Sequence, residues 1–201
     1  ALRTRPDAIP GLAPRAWRIV AGPFTRKAPQ GVAAPINRHT LQGLTVTVEY
    51  LEPPARAALV ARLDPDAGGD PFAAAPGRPE TYHAFRVVFD NRSAEEILFQ
   101  AGNVVLIFDA KHQQFPIDTT DLYRLAARAA LSDPEAMMER AKRVMFDSST
   151  TIPARTRAER LLVFGTLPEK WKEMRVHFSF LQIGAETHSM SFLFHRRPAE
   201  G

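Results

Sequence analysis

Apolar and polar residues alternate along most of this chain, a pattern typical of half-buried β-strands. The alternation is strongest in residues 171–197, where Gly184 separates two long arms. The alternating apolar residues on the two arms are Val176, Phe178 and Phe180, followed by Met190, Phe192 and Phe194. We therefore predict a long β-hairpin that turns at Gly184 and has one strongly apolar face. Such a face needs a second sheet to cover it.

The register of this hairpin is predicted from the need to keep both apolar sets on the same face. A three-residue turn from Gly184 to Glu186 places Ile183 opposite Thr187 and aligns the two sets. A four-residue turn moves one set to the other face. The predicted pairs on the apolar face are Phe180 with Met190, Phe178 with Phe192 and Val176 with Phe194.

Other parts of the chain carry the same strand pattern. The further predicted strands cover residues 44–51, 85–89, 97–100, 104–109 and 161–164. Turn residues separate these stretches, and together with the hairpin they give at least seven strands. The pattern predicts a mainly β protein built as an antiparallel β-sandwich.

In three places the apolar residues recur every three or four positions, as on one face of a helix. Residues 53–63 predict a short helix, since proline is accepted in a first helical turn. Residues 118–131 and 132–145 predict two more helices, and Asp118 and Asp121 are interpreted as capping carboxylates. Because strands surround these two helices, we predict a two-helix insertion at about 118–146, across one end or edge of the sandwich.

The loop at residues 64–80 contains three aspartates and resembles part of a calcium-binding loop. Gly68 and Ala75 stand where the EF-hand pattern requires oxygen ligands, so the match fails. We predict a solvated turn here.

Residues 1–40 contain six of the seventeen prolines. Prolines at this spacing block helices and central strands and favour extended backbone. We predict an extended proline-rich N-terminal arm over 1–40 and a sandwich domain over 41–201. Within the arm, only residues 17–20 look able to pack, as an edge strand.

The charge of the chain is concentrated in this arm. The whole chain has a net charge of +4, whereas residues 1–40 carry +6 and residues 41–201 carry −2. The arm could contact an anionic membrane surface or an acidic partner. The candidate partner-binding residues of the arm are Arg3, Arg5, Arg15, Trp17, Arg18, Arg26 and Lys27. Because the body has no basic cluster, we predict that the protein does not bind nucleic acid.

The sequence shows no catalytic motif. With no cysteine, disulfides, zinc–thiolate sites and thiol nucleophiles are excluded. Patterns for a serine nucleophile, a phosphate-binding loop and a metalloprotease helix are also absent. We predict a protein that is not an enzyme and needs no cofactor.

A metal site in the hairpin is the alternative. The candidate ligands are His177, His195 and His188, with Met190. In the predicted register His177 and His195 are diagonal neighbours, about 7 Å apart at their Cβ atoms. Copper or zinc would require two or three such ligands to converge, and nearby arginines disfavour a cation.

Two segments carry a resemblance to a known kind of protein. The sequence FRVVFDNRSAEEILF at 85–99 is similar to a core strand and turn of immunoglobulin-like domains in bacterial exported proteins and lipoproteins. The sequence TIPARTRAERLLVF at 151–164, followed by the phenylalanine-rich hairpin, is similar to the end of such domains. The resemblance covers roughly residues 41–110 and 150–197.

This resemblance implies an immunoglobulin-like sandwich in a bacterial envelope protein, periplasmic or associated with the outer membrane, and often lipid-anchored. The implied role is that of a non-enzymatic binding or assembly subunit with protein partners in the envelope. The alternative function is a periplasmic copper- or zinc-handling protein that uses the hairpin residues.

Overall fold

The structure is a computed structural model that describes residues 17–22, 36–74, 77–128 and 134–198. Within these ranges the chain is mainly β, as predicted, and forms two antiparallel sheets and three helices. The strands are β1 (Trp17–Gly22), β2 (Ile36–Leu41), β3 (Leu44–Leu51), β4 (His83–Asn91), β5 (Ile97–Phe99), β6 (Val104–Phe108), β7 (His112–Gln114), β8 (Thr150–Ile152), β9 (Arg157–Phe164), β10 (Glu173–Ile183) and β11 (Glu186–Pro198). The helices are α1 (Pro53–Leu63), α2 (Thr119–Arg128) and α3 (Pro134–Val144).

The strands form a four-stranded and a seven-stranded sheet. The four-stranded sheet has the order β2-β3-β4-β9. The seven-stranded sheet has the order β1-β11-β10-β5-β8, and β6 pairs with another part of β10 and carries β7 at its free edge. The short strands β7 and β8, together with β2, were not predicted from the sequence.

The two sheets face each other across a common core. The inward residues of β3, β4 and β9 pack against those of β5, β6, β10 and β11. Phe85 and Phe194 lie in edge contact with ring centroids 5.4 Å apart, and Phe89 contacts Phe178 at 6.3 Å. Each such aromatic pair adds about 0.5–1.5 kcal/mol beyond the burial of its area. The apolar face of the hairpin is thus covered by the four-stranded sheet, as its pattern required.

The register of the hairpin differs from the prediction. Ile183 pairs with Glu186, so the turn has two residues and the predicted three-residue turn was wrong. Gly184 has φ +56°, a left-handed conformation that glycine adopts without steric cost. Its position also brings a would-be Cβ within 2.8 Å of the Glu95 carboxylate. The left-handed backbone therefore favours glycine at this turn, whereas the close approach involves only the Glu95 side chain, which is exposed and can move.

A β-bulge between Phe178 and Leu181 compensates for the shorter turn. Before the bulge Phe178 pairs with Met190, and after it Leu181 and not Phe180 enters the core. The pairs that were predicted as Phe180–Met190, Phe178–Phe192 and Val176–Phe194 are found as Phe178–Met190, Val176–Phe192 and Met174–Phe194. The bulge adds one residue to β10, so the inward-facing positions after it are shifted by one along that strand. The apolar residues on both sides of the bulge therefore face the core.

The bulge coincides with a break in the neighbouring strand. β6 pairs with β10 before the bulge and β5 pairs with it afterwards. A turn of 3-10 helix, Ala101–Asn103, joins β5 to β6 at this point. The Ser179 hydroxyl donates to the Asn103 carbonyl oxygen at 2.6 Å and fixes the two irregular segments together.

The three helices cover one end of the outer face of the four-stranded sheet. Leu51, Ala84, Leu161 and Val163 project from that face and form a second core with the helices. The helix residues in this core are Leu59, Val60, Leu122, Met137, Ala141 and Val144. The predicted insertion is therefore a layer packed on a sheet face together with α1, and not a cap across an edge. None of the described helices is long and apolar enough to cross a membrane.

The start of α2 is capped as predicted. The Asp118 carboxylate accepts a hydrogen bond from the backbone N–H of Asp121 at 2.7 Å. This bond satisfies one of the free N–H groups at the helix N-terminus.

Parts of the predicted arm belong to the sheets. β1 pairs with β11 as an edge strand, as predicted, and Ile19 lies in the common core with 3% of its surface exposed. β2 pairs with β3, so residues 36–40, which were assigned to the arm, lie in a strand of the four-stranded sheet. The backbones of Trp17 and Arg18 lie in β1, opposite Pro198 and Arg197. The remaining candidate residues of the arm, Arg3, Arg5, Arg15, Arg26 and Lys27, lie outside the described residues.

The loop after α1 is anchored by a buried arginine, so only part of it is the solvated turn that was predicted. The Arg56 side chain is 1% exposed and donates to the carboxylates of Asp70 and Glu80 at 2.6 and 3.1 Å. It also donates to the carbonyl oxygens of Tyr82 and Phe72 at 2.8 and 3.0 Å. All three nitrogens of the buried guanidinium thereby have hydrogen-bond partners within the protein.

Candidate binding face

Part of the outer surface of the four-stranded sheet is left uncovered by the helices. We call it the open face, and it comprises the outward-facing residues of 36–40, 45–49, 86–90 and 157–159, with Gly43 and Arg92. It holds a groove of about 610 Å³. The helices occupy the other end of the same surface because the outward residues there are apolar.

The register aligns the outward side chains of the open face in three rows that cross the four strands. From β2 to β9 the rows are Thr40–Thr45–Asp90–Arg157, Arg38–Thr47–Val88–Glu159 and Ile36–Glu49–Arg86–Leu161. The middle positions of the first two rows are Thr45 and Asp90, and Thr47 and Val88, and each row has an arginine at one end. The groove follows from the difference in length between these side chains and the arginines.

Glu159 is the most heavily bonded acid of the open face. Both of its carboxylate oxygens accept from the Arg62 guanidinium, at 2.7 and 3.0 Å, and Arg86 donates to one of them at 2.5 Å. Arg86 also donates to Glu49 at 2.8 Å. The hydrogen bonds from Arg62, and also that from Arg86, lower the pKa of Glu159 to about 2. They outweigh burial, which by itself would raise this pKa. Glu159 is therefore ionised at neutral pH, and its charge is fully balanced.

Arg38 and Arg157 are the poorly balanced charges of the open face. The Arg38 guanidinium donates to the Thr47 hydroxyl at 3.2 Å, and within the described chain it forms no ion pair with a carboxylate. Arg157 approaches Glu159 only to 3.9 Å, and that carboxylate is already held by other arginines. Both guanidinium groups keep donors directed to solvent. Arginine presents these donors in a fork that matches a carboxylate or a phosphate.

The remaining charged pair of the open face is balanced. Arg92 lies 3.1 Å from Asp90. With Arg62 included, the open face carries five arginines and three carboxylates, a net charge of +2. This surplus is local, because residues 41–201 as a whole carry −2.

The structure separates the two histidines of the predicted metal site. His177 pairs with Ser191 and is hydrogen-bonded to its hydroxyl at 2.8 Å, whereas His195 pairs with Glu173. The two histidines are therefore four residues apart along the ladder, about 13 Å at the usual rise per residue. The predicted diagonal contact was wrong, because it assumed a three-residue turn and a ladder without the bulge.

The other predicted ligands lie elsewhere on the hairpin. His188 pairs with Leu181, and its Nε2 atom lies 3.4 Å from the Glu186 carboxylate. Met190 is buried in the core between the sheets. Among the residues that the structure describes, no group of three or more histidine, cysteine, aspartate and glutamate side chains is placed to hold a metal ion.

The open face was not predicted from the sequence. Arg38 was assigned to the arm, and Arg157 lay only within the segment 151–164 that carries the resemblance. One signal was present, since Thr45, Thr47 and Glu49 form a wholly polar face opposite the buried residues of β3. That signal predicts a solvent-facing surface, but it does not reveal which other strands lie beside it.

Comparison with known proteins does not assign the chain to a family. No family model matches it, and neither a curated protein nor a solved structure gives a significant match.

Proposed function

We propose that this protein is a non-enzymatic binding or assembly protein and that the open face engages an acidic polypeptide partner. The observation that supports this proposal is a surplus of arginine on an uncovered sheet face: Arg38 forms no ion pair in the described chain, and Arg157 only shares the Glu159 carboxylate with other arginines. Every carboxylate of the same face is already paired. A carboxylate supplied by a partner would balance the surplus.

The shape of the open face favours a polypeptide over other anionic partners. Its groove lies on an exposed sheet surface and is lined by the short side chains of Thr45, Thr47 and Val88, whereas small-molecule sites usually enclose most of the ligand. Its outward rows contain no aromatic side chain, and proteins that bind single-stranded nucleic acid stack the bases on such side chains. Hydroxyls and forked arginines suit a polar backbone and carboxylates.

The location of the protein and its finer fold type stay predictions from the resemblance noted in the sequence. That resemblance favours an immunoglobulin-like arrangement of the two sheets and a place in the bacterial envelope, periplasmic or lipid-anchored. The partner would then be another envelope protein. We make no proposal of metal handling, because His177 and His195 lie far apart on the hairpin.

The proposal is tested with fluorescein-labelled poly-L-glutamate at low ionic strength, read by fluorescence anisotropy. The double variant Arg38→Gln/Arg157→Gln should bind about 5- to 10-fold more weakly than the unmodified protein, as the loss of two exposed ion pairs implies. Added salt should weaken binding by the unmodified protein, because exposed charges are screened.

A matched control is available on the other sheet. Arg175 lies on an exposed strand face and contacts Glu173 two residues away at 3.3 Å, much as Arg157 contacts Glu159. Arg175→Gln should leave the affinity for poly-L-glutamate unchanged. Equal affinity in the double variant and the unmodified protein would exclude the open face as the binding surface.

A further inference from the structure

We infer that the partner segment is an extended chain that crosses the four strands of the open face and offers two separated carboxylates, one to Arg38 and one to Arg157. This inference rests on the proposed function and specifies its ligand. It follows from the positions of the two arginines, the floor between them and the pairing of the neighbouring acids.

The two arginines stand at opposite edges of the sheet. Arg38 belongs to β2 and Arg157 to β9, and β3 and β4 lie between them. Three inter-strand spacings amount to about 14 Å, and the offset of one row raises the Cα separation to about 16 Å. Arg38 leans towards β3 through its bond to Thr47, which shortens the distance between the two guanidinium groups. Two separate carboxylates match this separation better than one phosphate or carboxylate does.

An extended segment matches this distance. Residues in an extended chain are about 3.3–3.6 Å apart, so side chains four positions apart lie on the same side at about 13–14 Å. Two acidic residues with three residues between them therefore reach both arginines. Adjacent acidic residues point to opposite sides of an extended chain and reach only one.

The floor between the arginines fits the backbone of such a segment. Thr45, Thr47 and Val88 are short side chains in the centre of the groove. The hydroxyls of Thr40 and Thr45 lie 3.0 Å apart and are hydrogen-bonded to each other. Their remaining lone pairs and the Thr47 hydroxyl are partners for peptide N–H groups.

The acids of the face are held where they do not oppose the ligand. Glu159 lies on β9 beside Arg157, at the opposite end of the row from Arg38, but Arg62 and Arg86 take up its charge. Asp90 is paired in the same way with Arg92. We assign Arg62, Arg86 and Arg92 a positioning role, and Arg38 and Arg157 the direct contacts.

The experiment uses three labelled peptides that differ only in their acidic residues. One carries two glutamates separated by three serine or valine residues, one carries the same two glutamates adjacent, and one carries glutamines in the separated positions. Titration is followed by anisotropy and by the backbone amide NMR signals of Thr45, Thr47 and Val88. We expect the separated peptide to bind at least 3-fold more tightly than the adjacent one. Arg38→Gln and Arg157→Gln should each abolish that difference.

Two further variants keep the result interpretable. Arg38→Lys and Arg157→Lys retain the charge and the solvent-exposed position. The preference is the dissociation constant of the adjacent peptide divided by that of the separated peptide, and each lysine variant should keep about half of it. Arg175→Gln on the other sheet should retain all of it. Thermal unfolding of each variant verifies that the fold is intact.

The outcomes distinguish the two proposals. Equal affinity for separated and adjacent glutamates, with both affinities lost in the Arg38→Gln/Arg157→Gln variant, would overturn the spacing and leave the proposed function in place. Affinity that does not depend on these arginines would overturn both. Tighter binding of oligothymidylate or of phosphatidylglycerol vesicles through the same arginines would show that the partner is not a polypeptide.

Discussion

Arg62 of α1 and Glu159 of β9 form a bidentate ion pair in which both carboxylate oxygens accept from one guanidinium, at 2.7 and 3.0 Å. The pair joins the helical layer to the edge strand of the four-stranded sheet. It also sets the limit of the open face, because α1 ends immediately beyond Arg62. A cation in the last turn of a helix is favourable on its own account, since it lies beside the negative end of the helix dipole.

The first prediction concerns the pH dependence of this ion pair. Glu159 has an ordinary pKa of 4.5 and a folded-state pKa of about 2. Because folding lowers the pKa, the ionised carboxylate stabilises the protein above pH 4.5, and this contribution is lost as the pH falls from 4.5 towards 2. Arg62 is 56% exposed, so screening reduces the contribution to about 1–2 kcal/mol. Glu159→Gln should lower the free energy of unfolding by this amount at pH 7.

Urea unfolding of both proteins at pH 7, 5 and 3.5 tests this prediction. The difference between Glu159→Gln and the unmodified protein should persist at pH 5 and shrink at pH 3.5. Glu173→Gln is the control, since Glu173 is exposed and contacts only Arg175. A difference that does not change with pH would show that the lost contacts of Glu159 are not ionic.

The second prediction concerns Arg56. Its replacement by methionine keeps much of the apolar volume but leaves Asp70, which is 5% exposed, without its cation. The unpaired buried carboxylate should destabilise the fold by about 3–5 kcal/mol. Arg56→Lys should also be destabilising, because lysine cannot reach two carboxylates and the carbonyls of Phe72 and Tyr82 together. Urea unfolding measures both effects.

An exposed arginine provides the comparison for Arg56. Arg124 in α2 is 67% exposed and lies 3.6 Å from Asp121. Arg124→Met should change the free energy of unfolding by less than about 0.5 kcal/mol. Similar losses at positions 56 and 124 would contradict the structural role of the Arg56 cluster.

The hairpin shows how far the alternation of residues predicts a sheet. The apolar face and the turn at Gly184 followed from the sequence, but the length of the turn did not. Phe180 and Leu181 are both apolar, so the pattern permits either of them to face the core. The bulge is favoured by contacts with β5, β6 and the Asn103 carbonyl, which lie far from the hairpin in sequence.

The open face could not be predicted for a related reason. Alternation indicated which side chains of β3 point outwards, but not that β9 would lie beside β4. Arg38 and Arg157 come together on one surface only through that order of strands. Arg56 was missed because a charged residue in a short amphipathic helix is normally exposed to solvent. Its burial depends on carboxylates and carbonyls from a loop that has no regular pattern.

The third prediction decides whether β1 is part of the cooperative fold. Ile19 is 3% exposed in the core between the sheets, so Ile19→Ala should lower the free energy of unfolding by about 2–4 kcal/mol. Ile36 in the other N-terminal strand is 41% exposed, and Ile36→Ala should cost much less, about 0.5 kcal/mol. The midpoints of urea unfolding compare the two variants directly. An unchanged midpoint for Ile19→Ala would mean that β1 contributes nothing to the core, and the N-terminal segment would then act as the tether that its prolines predict.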